Sequence, residues 1–164
     1  MIKNSTIKVL FVCFGNICRS PTAEGVLRHL VATTAPRLQL EVDSAGTSDY
    51  HVGSPPDGRS QRAAQRRGID IGRLRARKVT AGDFDRFDFI LAMDRDNLLN
   101  LRALRPRASR AQLQLFLEYA PSTGLAEVPD PYLGEERDFE TVLDLAVVAA
   151  RGLITALQRQ AVNG

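Results

Sequence analysis

Apolar and polar residues follow one another in blocks that read as strands and helices taken in turn. Residues 7–13 form a nearly continuous apolar, β-branched run, which predicts a strand buried on both faces. A short loop follows, and then Ala23, Val26, Leu27, Leu30 and Val31 recur at helical spacing, with Ser20 placed to cap and Pro21 suited to the first helical position. Leu38, Leu40 and Val42 alternate with Gln39, Glu41 and Asp43 as a second strand. Residues 54–58 break the chain, and a basic helix is expected over 59–67, stopped by Gly68. A capped turn over 80–83 precedes a third strand over 87–93 and a helix opening at Asp94 with Leu98, Leu101 and Leu104. Leu113, Leu115 and Leu117 mark a fourth strand. A Pro- and Gly-containing loop, 121–134, leads to a last helix capped by Asp138 and running through Leu157. Strands separated by helices require crossovers, so the expected fold is α/β: one domain over 1–164, a four-stranded parallel sheet with helices on both faces. Functional groups in such sheets gather at the carboxyl ends of the strands, which points to Cys13.

Composition agrees with a packed core: of 164 residues, 44% are hydrophobic and 25% charged. No apolar stretch approaches the roughly 20 residues of a membrane helix, the best candidate being 145–150. The apolar run 9–14 leads into Gly15-Asn16-Ile17-Cys18-Arg19 rather than a cleavage site, so a cytoplasmic protein without a membrane partner is expected. Cys13 and Cys18 make no disulfide framework, and with His29 and His51 they lack zinc-ligand spacing; no metal and no cofactor are expected. The net charge of +3 comes from arginines concentrated between Arg59 and Arg77. That stretch lacks interleaved aromatics and is followed by Asp83, Asp85 and Asp88. It reads as a solvated basic face, with steering of anionic substrates toward a nearby site as the alternative, rather than as a nucleic-acid site.

The loop Cys13-Phe14-Gly15-Asn16-Ile17-Cys18-Arg19-Ser20-Pro21 carries the chemistry. Successive amides of Phe14, Gly15, Asn16, Ile17, Cys18 and Arg19 can line a nest for an anion, and the following helix adds its N-terminal amides and dipole. Arg19 offers a planar fork for two phosphate oxygens. Gly15 and Asn16 are residue types that tolerate the positive φ of a tight cradle. Cys13 lies at its floor, where the donors favour a nucleophilic thiolate, and Ser20 can donate its hydroxyl to the sulfur. No Gly-Lys-Ser/Thr follows the glycine, so the loop is not a nucleotide-binding one.

The run from Cys13 to Glu24 resembles the signature of low-molecular-weight protein tyrosine phosphatases. So do Asp43-Ser44-Ala45-Gly46-Thr47, Pro55-Pro56-Asp57, Met93-Asp94 and Asp130-Pro131-Tyr132. The resemblance spans nearly the whole chain and implies a metal-free enzyme that hydrolyses phosphotyrosine and aryl phosphates through a cysteinyl-phosphate. It implies Asp130 as general acid and then base, Phe14, Tyr50 and Tyr132 as pocket walls, and Asn16, Ser20 and Ser44 as loop support. The chain departs from the family where a buttressing histidine is common, reading Leu74-Arg75-Ala76-Arg77, and in having Leu133 where a second tyrosine often follows. Tyr132 alone is left as a modifiable tyrosine there.

Arsenate reductases of the same fold pass oxidising equivalents to further cysteines, and none follows Cys18. A phosphate-binding module without turnover would not need Cys13, Arg19 and Asp130 together. The expected partner is a phosphotyrosine protein, with tyrosine kinases among the candidates; the oligomeric state is not legible in the residues. Cys18, five positions from Cys13 in a curled loop, is the expected redox partner of the nucleophile.

Overall fold

The computed structural model describes residues 5–163. Four parallel strands lie in the order β2-β1-β3-β4: β1 Ile7–Cys13, β2 Leu40–Gly46, β3 Phe89–Ala92 and β4 Gln112–Leu115. Helices α1 Arg19–Thr34, α2 Gly58–Gln65, α3 Asp83–Arg86, α4 Arg95–Leu104 and α5 Glu136–Asn163 fill the connections and the C-terminal end. The alternation along β1 sorts its side chains into two cores. Val9, Phe11 and Cys13 face one with residues of α1 and α5, while Leu10 and Val12 face the other with Phe84, Leu98 and Leu101. Phe11 meets Phe116 edge-on at 4.8 Å between ring centroids, inside the larger core. Burial on both faces is what the unbroken apolar run anticipates.

Several boundaries differ from the sequence pattern, each for a local reason. Helix α1 begins at Arg19 with Cys18 at its cap, so Ser20 is not the cap but lies within the first turn. Pro21 is its third residue, where a missing N–H is still harmless. Helix α2 starts at Gly58, because the Asp57 carboxylate accepts from the Arg59 amide at 2.8 Å, and ends at Gln65 rather than Arg67. The third strand is shorter than 87–93, since Phe87 caps α3. Leu117 is not in the fourth strand: the chain turns into a 3₁₀ helix, Phe116–Tyr119, that buries Phe116 and Leu117 together. Asp138 is inside α5, and its carboxylate reaches back to the Glu135 amide at 2.6 Å.

Part of the arginine-rich segment forms an ion-paired seam, while Arg73 and Arg75 remain exposed on a solvated face. Arg62 meets Glu136 at 3.2 Å, Arg66 meets Glu140 at 2.7 Å, and Arg67 meets Glu140 at 2.8 Å and Asp144 at 2.7 Å. These pairs tie α2 to α5. Being partly exposed, each contributes at most about 1 kcal/mol. Among the described residues, no helix is long and apolar enough to cross a membrane.

Candidate active site

The loop between β1 and α1 wraps one end of a cavity of about 270 Å³. Cys13, Phe14, Gly15, Ile17, Cys18 and Arg19 line it from the loop, and His51, Asp130, Tyr132 and Leu133 line it from elsewhere. Cys13 Sγ accepts the Asn16 amide at 3.2 Å and lies 3.0 Å from Ser20 Oγ. Among the described residues, the amides of Gly15, Ile17 and Cys18 donate to no other protein group. The N-terminus of α1 points its own unpaired amides the same way. The result is a ring of donors around a sulfur, the arrangement that receives a tetrahedral anion.

Asn16 is the loop's left-handed residue, at φ 56°. Gly15 does not share that conformation; a Cβ there would lie 3.1 Å from His51 Cδ2, so a side chain would have to push that ring aside. Gly46, ending β2, is needed for the same kind of approach, since a Cβ would stand 2.7 Å from the Phe14 carbonyl oxygen. Asn16 turns its side chain into the protein. Its Nδ2 donates to Ser20 Oγ at 2.8 Å and Ser44 Oγ at 3.0 Å, and its Oδ1 accepts the Arg77 amide at 3.0 Å. Leu74, where many family members carry a histidine, packs against the apolar core instead. Arg77 is fixed in turn: its guanidinium bridges Asp43 at 3.0 Å and Asp83 at 2.9 Å, and its carbonyl accepts the Gly46 amide at 2.8 Å.

Arg19 is 3% exposed. Its Nη1 donates to Asp94 Oδ2 at 2.6 Å and to the Val128 carbonyl at 3.0 Å, leaving Nη2 3.7 Å from Asp130 Oδ2. Burial opposes its charge. The Cys13 sulfur, then the Asp94 bond and the Asp94 and Asp130 charges, nonetheless raise its pKa above the ordinary value. Asp94 caps α4 through its other oxygen, accepting the Asn97 amide at 2.8 Å. One carboxylate therefore starts a helix and aims the arginine that lines the cavity. Local pattern marked Asp94 as a helix start and likeness to a family marked it as a motif residue; its second duty depends on a partner 75 positions away.

Phe14 and Tyr132 stand at the mouth, 49% and 46% exposed. Tyr50 does not line the cavity. It is 78% exposed and packs on the outer side of Phe14, with ring centroids 6.0 Å apart. His51, its neighbour, takes the wall position opposite Tyr132 at 6.3 Å, with Leu133 completing the rim. Cys18 is buried and reduced, as is Cys13. Burial, with Asp57 adding to it and the Ser60 hydroxyl opposing, pushes the Cys18 thiol up to about 12.

A family model described as low molecular weight phosphotyrosine protein phosphatase matches residues 8–163. The chain is 43% identical over 156 residues to the human low molecular weight phosphotyrosine protein phosphatase, covering 94% of this chain and 98% of that one. It is 38% identical to the low molecular weight protein-tyrosine-phosphatase YfkJ of Bacillus subtilis, over 94% of this chain and 97% of the relative. A crystal structure of a protein tyrosine phosphatase from Entamoeba histolytica superposes with a TM-score of 0.90 at 36% identity, covering 94% of this chain and 99% of the other. The chain belongs to the low molecular weight phosphotyrosine protein phosphatase family.

The support network ends in Glu24, 1% exposed, whose Oε1 accepts Ser44 Oγ at 2.8 Å and whose Oε2 accepts Arg28 Nη2 at 2.8 Å. Burial raises its pKa above the ordinary 4.5, outweighing those two bonds. A raised native value means its stabilising contribution is complete below pH 4.5 and is lost as pH rises through the native value. Glu24→Gln removes this titration. Urea midpoints of parent and variant should therefore diverge above about pH 4.5, the parent falling relative to the variant; parallel profiles would show that Glu24 titrates as it does in the unfolded chain.

Proposed function

We propose that this phosphatase hydrolyses phosphotyrosine and aryl phosphates through a phosphate transiently bonded to Cys13. What carries the reading is the convergence of the Cys13 sulfur, the unpaired loop amides, Arg19 and Asp130 on one cavity. The thiolate attacks phosphorus in line with the departing oxygen. The loop amides and Arg19 hold the three equatorial oxygens, where charge stays high in the transition state. Asp130 protonates the leaving phenoxide, then as carboxylate takes a proton from the water that displaces sulfur. Ser20 donates to the sulfur as it leaves. Aromatic and apolar groups at the mouth, Phe14, Tyr132 and Leu133, suit a flat ring more than a short alkyl chain. The physiological substrate in this reading is a phosphotyrosine protein, with tyrosine kinases as candidates. A cytoplasmic setting belongs to the same proposal, since the reaction needs Cys13 reduced.

Turnover of p-nitrophenyl phosphate without added metal tests the reading. Cys13→Ser should reduce it by on the order of 10⁴-fold or more while phosphate still binds; appreciable turnover would remove Cys13 from its role. Asp130→Ala should lower kcat/KM for phenyl phosphate by roughly 10²–10⁴-fold and for p-nitrophenyl phosphate much less, because only the poorer leaving group needs the proton. Equal losses would deny Asp130 the acid role.

Cys18 extends the proposal to oxidation. Peroxide converts the Cys13 thiolate to a sulfenic acid, and the Cys18 thiol then displaces water to give a disulfide, a net loss of two hydrogens. With its thiol pushed up to about 12, Cys18 is held as the inert form until the loop opens. Peroxide should inactivate the parent reversibly, with the mass change reversed by reductant. In Cys18→Ser the loss should become irreversible, and recovery equal to the parent's would leave Cys18 a packing residue.

A further inference from the structure

Asp130 sits on a segment whose two ends are held differently. Upstream, Val128 donates its amide to the Met93 carbonyl at 2.8 Å and accepts Arg19 Nη1 at 3.0 Å. Downstream, the segment's own bonds are local: the Tyr132 amide to Asp130 Oδ1 at 3.1 Å and the Gly134 amide to the Pro131 carbonyl at 2.8 Å. Asp130 is about half exposed, and its contact with Arg19 is too long for a hydrogen bond.

Pro131 is buried, and the hydrogen bonds that tie this downstream half to the rest of the molecule come from Arg59, the first arginine of the basic stretch. Its Nη2 donates to the Tyr132 carbonyl at 2.9 Å and its Nη1 to the Gly134 carbonyl at 3.5 Å. The same guanidinium is forked on Asp57, Nε to Oδ1 at 3.1 Å and Nη2 to Oδ2 at 3.0 Å, and lies over the Phe139 ring at 4.5 Å and over the Tyr132 ring at 5.8 Å from the centroid. Asp57 in turn donates its amide to the Ile17 carbonyl at 2.8 Å, in the phosphate loop. A path of three hydrogen bonds thus runs from the nucleophile's loop through Asp57 and Arg59 to the acid's loop.

We propose that Arg59 is a positioning residue for the general acid, tying the Asp130 segment to the phosphate loop so that the carboxyl meets the leaving oxygen. The proposal rests on the role given to Asp130 above. Arginine suits the place because one planar group must satisfy a carboxylate and two carbonyls while stacking on a ring; lysine can reach one of these at a time. Since Arg59 does not line the cavity, its loss should act on proton transfer and leave the anion cradle alone.

The test uses aryl phosphates of graded leaving-group pKa with Arg59→Met, which keeps an apolar stem over Phe139, and Arg59→Lys. In Arg59→Met, kcat/KM should fall roughly tenfold or more for phenyl phosphate and much less for p-nitrophenyl phosphate, with Arg59→Lys between it and the parent. Phosphate should protect Cys13 from iodoacetate at the parent's concentration, which also reports an intact loop. Adding Arg59→Met to Asp130→Ala should cost nothing further, as the two act on one proton transfer. A uniform loss across leaving groups, weakened phosphate protection, or additive losses in the double variant would each overturn the proposal. A flat leaving-group dependence in Asp130→Ala itself would remove the acid and this proposal together. A steep Asp130→Ala beside a flat Arg59→Met would overturn the positioning role alone.

Discussion

The site depends on holding one buried residue, Asn16, in the left-handed region. A side-chain-bearing residue there costs on the order of 1–3 kcal/mol, and asparagine is among the few that take the conformation without severe crowding. Here the cost is offset by bonds through its amide and through both polar atoms of its side chain. Its amide reaches the Cys13 sulfur, its side-chain nitrogen reaches Ser20 and Ser44, and its side-chain oxygen takes the Arg77 amide. Glycine would accept the backbone angle and lose the side-chain bonds. Release of this residue would let the loop relax, and the amides around the sulfur would no longer converge.

The parallel sheet explains why that loop can be so well supported. β1 is a central strand, so its carboxyl end is flanked by β2 on one side and β3 on the other. β2 delivers Ser44 and Gly46, the turn after β3 delivers Asp94, and segment 77–79 adds to the outer side of Gly46. Each supporting group is carried on regular structure or anchored to it, the placement that best preserves the geometry of a site. Arg19 shows what is at stake. A buried guanidinium with a carboxylate and a carbonyl on one nitrogen is tolerable, but losing the Asp94 partner would leave a buried charge uncompensated, at a cost of roughly 3–5 kcal/mol.

Charge in this chain is spent locally more than on long-range attraction. Arg62, Arg66 and Arg67 are matched by acidic groups of α5, Arg77 by Asp43 and Asp83, and Arg59 by Asp57. The local field of the cavity is set by Arg19, the loop amides and the start of α1 rather than by the net charge of +3.

What the sequence alone determined were features written in neighbouring residues. The first strand came out at residues 7–13, the cysteine fell at its end, and the Gly-Asn and Arg-Ser-Pro that follow specified a loop running into a helix. These depend on periodicity, turn chemistry and helix starts, which act over a few positions. Asp130 was legible only through likeness to a family, since an Asp-Pro pair in a loop is by itself an ordinary turn. Tertiary structure decided the rest: that His51 and not Tyr50 faces the cavity, and that the backbone amide of Arg77 holds the Asn16 side chain. It also decided that Asp94 aims Arg19, and that the arginine stretch faces an acidic helix. Those pairings join residues 61 to 77 positions apart. No local pattern encodes which of many arginines, acids or amides will meet; that is settled by how the strands register and which helix covers them.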